Sequence, residues 1–421
     1  MLSRRMLLQG AAAAAAARFA PPALASEAAF HPRSWASVRA QFALDPHVHN
    51  FTTFLLAPHP KPVRDAIARH ARALDRDSKR YLDRQEERNA ADERVRRAAA
   101  RYLDIAADEL ALTDSTTMGL GLLYGGLVLG EDDEVVTTTH DFYSTHEALR
   151  LRALRTGARV RRIRLYQNAR TASVDEIVSA VKRGITPKTR ALAVTWVHSS
   201  TGVKLPIRAI ADALPQHVLL CVDGVHGFGV EAATPKELGC DFLVSGCHKW
   251  LFGPRGTGVI WGRTSAWNAV TPTIPTFDGR AFQPWMENRA PDLPRAAAMT
   301  PGGFHSFEHR WALADAFEFR RKIGRARAAS RTHALAQRLK NGLAEIKRVR
   351  LVTPQSTTLS AGLVCFEVVG EEPFQLVDRL FARSRVVASV TPYANRYVRF
   401  GPSILNTPSE VDRAVRAVAS L

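Results

Sequence analysis

Cys221-Val222-Asp223-Gly224-Val225-His226-Gly227 and Ser245-Gly246-Cys247-His248-Lys249-Trp250 each follow a short aliphatic run, Val218 to Val222 in the first case and Phe242 to Val244 in the second. Runs of this length, rich in Val and Leu and closed by glycine, read as strands covered on both faces. Consecutive strands of a parallel sheet end on one edge, where such sheets gather their sites. Asp223 and Lys249 are therefore expected to face each other. Taken alone, an aspartate after a strand is ordinarily a turn former and a lysine there a surface residue. Their pairing on one edge is what makes them candidates.

The same pattern continues outward. Val135 to Thr139, Val160 to Leu165, Ala191 to Val197 and Val259 to Trp261 read as further strands, with helical segments at Asp175 to Arg183 and Ile207 to Leu214 between some of them. Strands alternating with helices predict an α/β fold, a mostly parallel sheet between two helical layers. Pro62 to Leu103 is helical and highly charged, with apolar positions at three- and four-residue steps. A proline-rich stretch from Thr271 to Pro301 precedes a helix expected from about Glu308 to Leu343. Strand runs at Ala361 to Val369 and Tyr397 to Phe400 and a last helix from about Ser409 suggest a smaller α+β unit. The expected division is a leader at 1–25, an N-terminal segment at 26–61, a large domain at 62–290 and a small C-terminal domain at 291–421.

Composition narrows the function. With 421 residues, 46% hydrophobic and 23% charged, the chain can bury a large core. The net charge of +18 is spread along helices in which acids alternate with bases, and no nucleic-acid-reading spacing accompanies it, so a solvated basic surface is expected and no nucleic-acid partner. The four cysteines fit neither a disulfide framework nor a zinc site, and no metal is expected. Gly119-Leu120-Gly121 fails as a dinucleotide loop because Tyr124 stands where a third glycine is needed. Met1 to Ala25 has a basic start, an apolar stretch and Ala23-Leu24-Ala25 as a cleavage site, and Ser3-Arg4-Arg5-Met6-Leu7-Leu8 resembles a twin-arginine export signal. Export by that machinery to the periplasm, with cleavage near Ala25 and no stable membrane insertion, is the expectation.

The spacing of 26 residues from Asp223 to Lys249 and 23 from His226 to Lys249, on consecutive strand ends, resembles the pyridoxal-phosphate enzymes of aminotransferase class V. The resemblance runs from about Asn50 to the C-terminus. It implies fold type I and a Schiff base between pyridoxal 5'-phosphate and Lys249, with Asp223 on the pyridine nitrogen and His226 on the phenolic oxygen. A primary amine is what an imine requires, and a carboxylate keeps the ring nitrogen protonated as an electron sink. By the same resemblance Thr116 and Thr117, at the start of a helix, hold the phosphate with His248 and Ser245. His140 stacks on the ring, Ser199 stands where the family has Asn and meets the phenolic oxygen, and Arg399 forks onto a substrate carboxylate.

Asp-Gly-Val-His at 223–226, Cys-His-Lys-Trp at 247–250 and Ser199 resemble the isopenicillin N epimerase-like branch. The implied activity is chemistry at Cα of an amino acid or related amine, of epimerase or transaminase type, with a C–S lyase as the alternative. A non-catalytic periplasmic binding protein on the same fold is the competitor from another class. Cysteine desulfurase is disfavoured, because Cys365 lies in a strand run rather than on a loop. A homodimer is implied by the fold.

Overall fold

The computed structural model describes residues 30–83 and 85–421; the expected export signal at 1–25 lies outside them. The strands in chain order are β1 (His49–Asn50), β2 (Leu110–Thr113), β3 (Glu134–Thr138), β4 (Arg159–Ile163), β5 (Thr189–Thr195), β6 (Leu219–Asp223), β7 (Phe242–Gly246), β8 (Gly258–Gly262), β9 (Val349–Leu351), β10 (Val364–Val368), β11 (Val386–Val387), β12 (Ser389–Val390) and β13 (Val398–Phe400). Seven form one sheet in the order β2-β8-β7-β6-β5-β3-β4. Only β8 runs against the others. Alternation along the strands explains why the sheet is covered twice. Leu192, Val194, Leu220 and Val222 enter one core with Val95, Ala99 and Phe317, while Ala191, Ala193 and Cys221 enter another with Leu120 and Tyr124.

β2 is a strand that the aliphatic runs of the sequence did not mark. At four residues, and paired only with the antiparallel β8, it is too short to show a period. The helix expected as one piece from about Glu308 to Leu343 is two, Phe307–Ile323 and Arg325–Ala344. They part at Gly324, whose φ of 88° suits only glycine. Leu313, Ala314 and Phe317 of the first piece are buried in the large domain's core; Leu335, Leu339 and Leu343 of the second belong to the small domain's core.

The small domain is a four-stranded antiparallel sheet, β12-β13-β10-β9, backed by helices Arg325–Ala344, Pro373–Ser384 and Pro408–Ala419. The N-terminal segment serves it directly. β1 pairs in parallel with β11, and Phe51 is buried in the small domain's core. The chain then crosses to the large domain, where Ala57 N–H donates to the carbonyl of His248 at 2.9 Å. At Gly202 the two domains touch so closely that a Cβ would lie 2.5 Å from Thr353 Oγ1, and its φ is +74°.

Candidate active site

Asp223 closes β6 in register with Val244 of β7, and its Oδ1 accepts the Val225 N–H at 3.0 Å. Lys249 follows β7 by three residues, in a turn closed by Gly253 N–H on the Cys247 carbonyl at 2.8 Å. Burial presses the lysine down to about 8, with Asp223 opposing and the Arg399 cation adding to the effect. Burial also lifts the Asp223 carboxyl to about 6, against the pull of the Val225 amide and of Lys249. The two groups thus stand in each other's field at neighbouring strand ends, and no hydrogen bond fixes the Lys249 amine among the described residues. A lysine so desolvated exposes a usable neutral amine far below the pH an ordinary one needs.

Behind this pair the helix Thr116–Gly126 begins. Ser115 caps it by accepting from Met118 N–H at 3.1 Å, which leaves the N–H groups of Thr116 and Thr117 without intrahelical acceptors. Thr116 Oγ1 accepts the Gly246 N–H at 2.7 Å, tying the helix start to the end of β7. Thr117 Oγ1 lies 3.0 Å from Ser144 Oγ, at the start of a second helix, Tyr143–Thr156. Nδ1 of His248 is buried with no hydrogen-bond partner among the described residues. A Cβ on Gly246 would sit 2.8 Å from the His248 ring and 3.0 Å from Thr116 Oγ1, so glycine keeps this cradle open. Ser245 departs from the expected arrangement: its hydroxyl is fully buried and donates to the Gly246 carbonyl at 3.0 Å.

On the flank, His140 lies flat on Tyr166, centroids 4.0 Å apart and planes 12° apart. Its Nε2 accepts the Leu165 N–H at 3.3 Å, and burial pushes the imidazole down to about 3, so it is neutral. The next residue anchors that loop. Asp141 accepts from Thr137 Oγ1, Thr138 N–H and Thr195 N–H at 2.7–2.9 Å, and Thr195 is the register partner of Asp223. Ser199 follows β5, its hydroxyl 2.7 Å from Tyr393 Oη. Nδ1 of His226 accepts the indole N–H of Trp250 at 3.4 Å.

Arg399 reaches this space from β13 of the small domain. It is 3% exposed, donates to the Ser199 carbonyl at 3.0 Å and to Ser389 Oγ at 3.1 Å, and lies over the Phe54 ring at 4.6 Å. No carboxylate of the described residues pairs with it. An unpaired buried guanidinium is costly unless an anion completes it. A cleft of about 630 Å³ runs between the domains beside His140 and Tyr166, with Arg164, Arg170, Arg350 and Tyr397 in its walls.

The structure therefore gathers Lys249, Asp223, His226, Ser199 and Arg399 around one space, with Thr116, Thr117 and His248 at one end and His140 at the flank. Sequence reading assigned no role to Tyr393, Phe54, Trp250, Ser144 or Asp141. Only Asp141, beside His140, and Trp250, beside Lys249, carried a positional signal.

The aminotransferase class-V model matches residues 57–391. The chain belongs to that family. It is 27% identical over 396 residues to an isopenicillin N epimerase of Amycolatopsis lactamdurans, covering 92% of this chain and 98% of the epimerase. It is 28% identical over 286 residues to a probable cysteine desulfurase of Halalkalibacterium halodurans, covering 66% of each. Among solved structures, C-DES with glycine covalently linked to its PLP cofactor superposes with a TM-score of 0.81 at 17% identity, covering 90% of this chain and 98% of that one. The fold of this class-V chain is accordingly fold type I. Its cofactor is pyridoxal 5'-phosphate, and the residues present fit that group: an amine for the carbonyl, a carboxylate for the ring nitrogen, and helix N–H groups, threonine hydroxyls and an unpartnered imidazole for the phosphate.

Proposed function

We propose that this class-V enzyme acts at Cα of an amino acid or related amine, as an epimerase or transaminase, and that its substrate carries a carboxylate. The observation that carries this reading is the coincidence of a buried, partly neutral Lys249 with a buried Arg399 that lacks an acidic partner. When bound, the cofactor supplies a conjugated electron sink for the charge released at Cα. Lys249 reacts as a free amine and afterwards takes and returns the Cα proton as a general base. Asp223 would keep the cofactor's ring nitrogen protonated, Arg399 orients the substrate by its carboxylate, and the walls around His226 and Phe54 keep water out. The likeness along nearly the whole length of an isopenicillin N epimerase supports the epimerase form.

A C–S lyase is the second reading, favoured by Tyr393, a phenol raised to about 12 by burial and so held as a proton donor for a leaving group. Desulfurase chemistry that needs a protein thiolate has little support. All four cysteines are buried, and the Cys365 thiol is pushed up to about 11 by burial.

Export by the twin-arginine route and assembly as a homodimer belong to the same proposal. The first rests on Arg4-Arg5. The second rests on the exposed Phe282, Trp285, Met286 and Phe304, which a partner subunit would cover. The deciding experiment is an absorbance spectrum of the purified protein before and after L- and D-amino acids, with products separated by chiral chromatography. Inverted Cα without keto acid supports epimerisation; keto acid supports transamination; pyruvate with a released thiol supports the lyase; no spectral response to any amino acid overturns the proposal.

A further inference from the structure

Trp250 follows Lys249 directly, and its ring lies in the seam between the domains, against His226 and Phe54. It is 3% exposed. Its indole lies near parallel to Phe54, centroids 6.1 Å apart and planes 26° apart. Its outer edge rests on two glycines of the small domain, where a Cβ on Gly362 would be 2.7 Å from Trp250 Cη2 and one on Gly401 would be 3.2 Å from it. Gly401 stands two residues after Arg399, and its N–H donates to the Phe51 carbonyl at 2.7 Å. The small-domain backbone that carries the substrate arginine thus fixes where the indole lies.

The other end of the indole meets His226. Its N–H is donated to His226 Nδ1 at 3.4 Å, and Trp has a donor and nothing else to offer. His226 is buried and faces Lys249, Arg399 and His248, which together with desolvation keep its imidazole uncharged at neutral pH. A neutral imidazole carries one ring proton. With Nδ1 accepting from Trp250, that proton is on Nε2, and His226 Nε2 makes no hydrogen bond within the described residues.

We propose that Trp250 is a positioning residue: its indole, seated against Gly362 and Gly401 of the small domain, fixes His226 as an Nε2–H donor, the form in which it would donate to the cofactor's phenolic oxygen. The proposal rests on the cofactor assignment above and adds a mechanical link. Any shift of the small domain that moves Arg399 also moves the seat of the indole, so substrate engagement and the donor on the phenolic oxygen change together. An N–H on that oxygen draws off negative charge that would otherwise hold the proton on the neighbouring lysine link. Weakening the donor should therefore raise the pH at which the visible band of the loaded protein changes.

The test is a double-mutant cycle read by absorbance rather than turnover. Trp250→Phe keeps the ring and removes the N–H; the midpoint of the visible band is expected to rise by about half a pH unit or more. In the His226→Gln background, where a side-chain amide has no tautomer to fix, Trp250→Phe should move the midpoint no further. Equal shifts in both backgrounds, or none in either, would overturn the proposal. The wild-type protein gives an answer that needs no Trp250 variant. With ¹⁵N-histidine labelling and His226→Gln to assign the signal, the His226 proton should sit on Nε2 at neutral pH, and a proton on Nδ1 overturns the inference. A wild-type protein that takes up no pyridoxal phosphate and shows no visible band sinks the cofactor assignment itself, a different failure from a loaded protein whose band ignores Trp250.

Discussion

Asp223, Lys249, Thr116 and His248 come from strand and helix ends of one sheet buried on both faces, whereas Arg399, Tyr393 and Phe54 reach the same space from a small-domain hairpin and the N-terminal segment. The first group is held by register: Thr195, Asp223 and Val244 lie side by side on β5, β6 and β7. The second is held by contacts across the domain seam, such as Arg399 on the Ser199 carbonyl and Tyr393 on the Ser199 hydroxyl. Bond chemistry demands positions fixed to a fraction of an ångström, and the sheet supplies them. Recognition tolerates, and uses, a wall that shifts with its domain.

The largest effects should come from the sheet. Lys249→Ala is expected to lower turnover at least about a thousandfold, the scale for loss of a general base that also binds covalently, and to abolish borohydride trapping of cofactor. Asp223→Asn should cost roughly a hundredfold or more by removing charge stabilisation in a water-poor site. A pH experiment separates the two roles. Uptake of pyridoxal phosphate by the unloaded protein should rise through about pH 8, where Lys249 loses its proton. Asp223 is the group that holds that lysine's proton on, so in Asp223→Asn the rise should move to lower pH. A rise at higher pH, or one set near the 10.5 of an ordinary lysine, would show that Lys249 is not desolvated as described.

The seam should give intermediate effects that depend on substrate. Arg399→Lys keeps the charge and loses the two-pronged geometry; amino acids should lose about 1.5–3 kcal/mol in kcat/KM, roughly 10- to 160-fold. Amines without a carboxylate should be unaffected. Equal losses for both would assign Arg399 to holding the domains together rather than to recognition.

The contrast also marks what the sequence could disclose. Six of the seven large-sheet strands were legible, five as aliphatic runs buried on both faces and the edge strand β4, only partly buried, by its β-branched positions; β2, a four-residue strand, was not. Asp223 and Lys249 were legible because each follows an aliphatic strand run, and His226 because its separation from Lys249, with that of Asp223, resembles the class-V pattern. Phe54 and Tyr393 were not. Phe54 lies 345 residues before Arg399 and touches it only after the N-terminal segment has paired with β11. Nothing local marks a ring that will lie under a guanidinium. The break at Gly324 escaped notice because residues on both sides keep a helical period, and only the fold shows that the two pieces serve different cores.

Tyr393 should give the smallest effect and the finest discrimination. It sits in the turn between β12 and β13, which Thr391 closes with hydrogen bonds to the Tyr397 N–H at 2.9 Å and the Asn395 carbonyl at 3.2 Å, and its ring meets Phe142 edge-on at 6.0 Å. Tyr393→Phe keeps that packing and removes one hydroxyl. If the phenol only latches the small domain through Ser199, KM should rise about two- to tenfold, the range for one neutral hydrogen bond, with kcat unchanged and every substrate affected alike. If it delivers a proton to a leaving group, kcat for β-substituted amino acids should fall while exchange of the Cα proton with solvent continues at the wild-type rate. The two outcomes separate because, under the proposed mechanism, Lys249 on the sheet moves the Cα proton and the Tyr393 phenol does not, so a variant that slows exchange as well would place Tyr393 with the rigid half of the site.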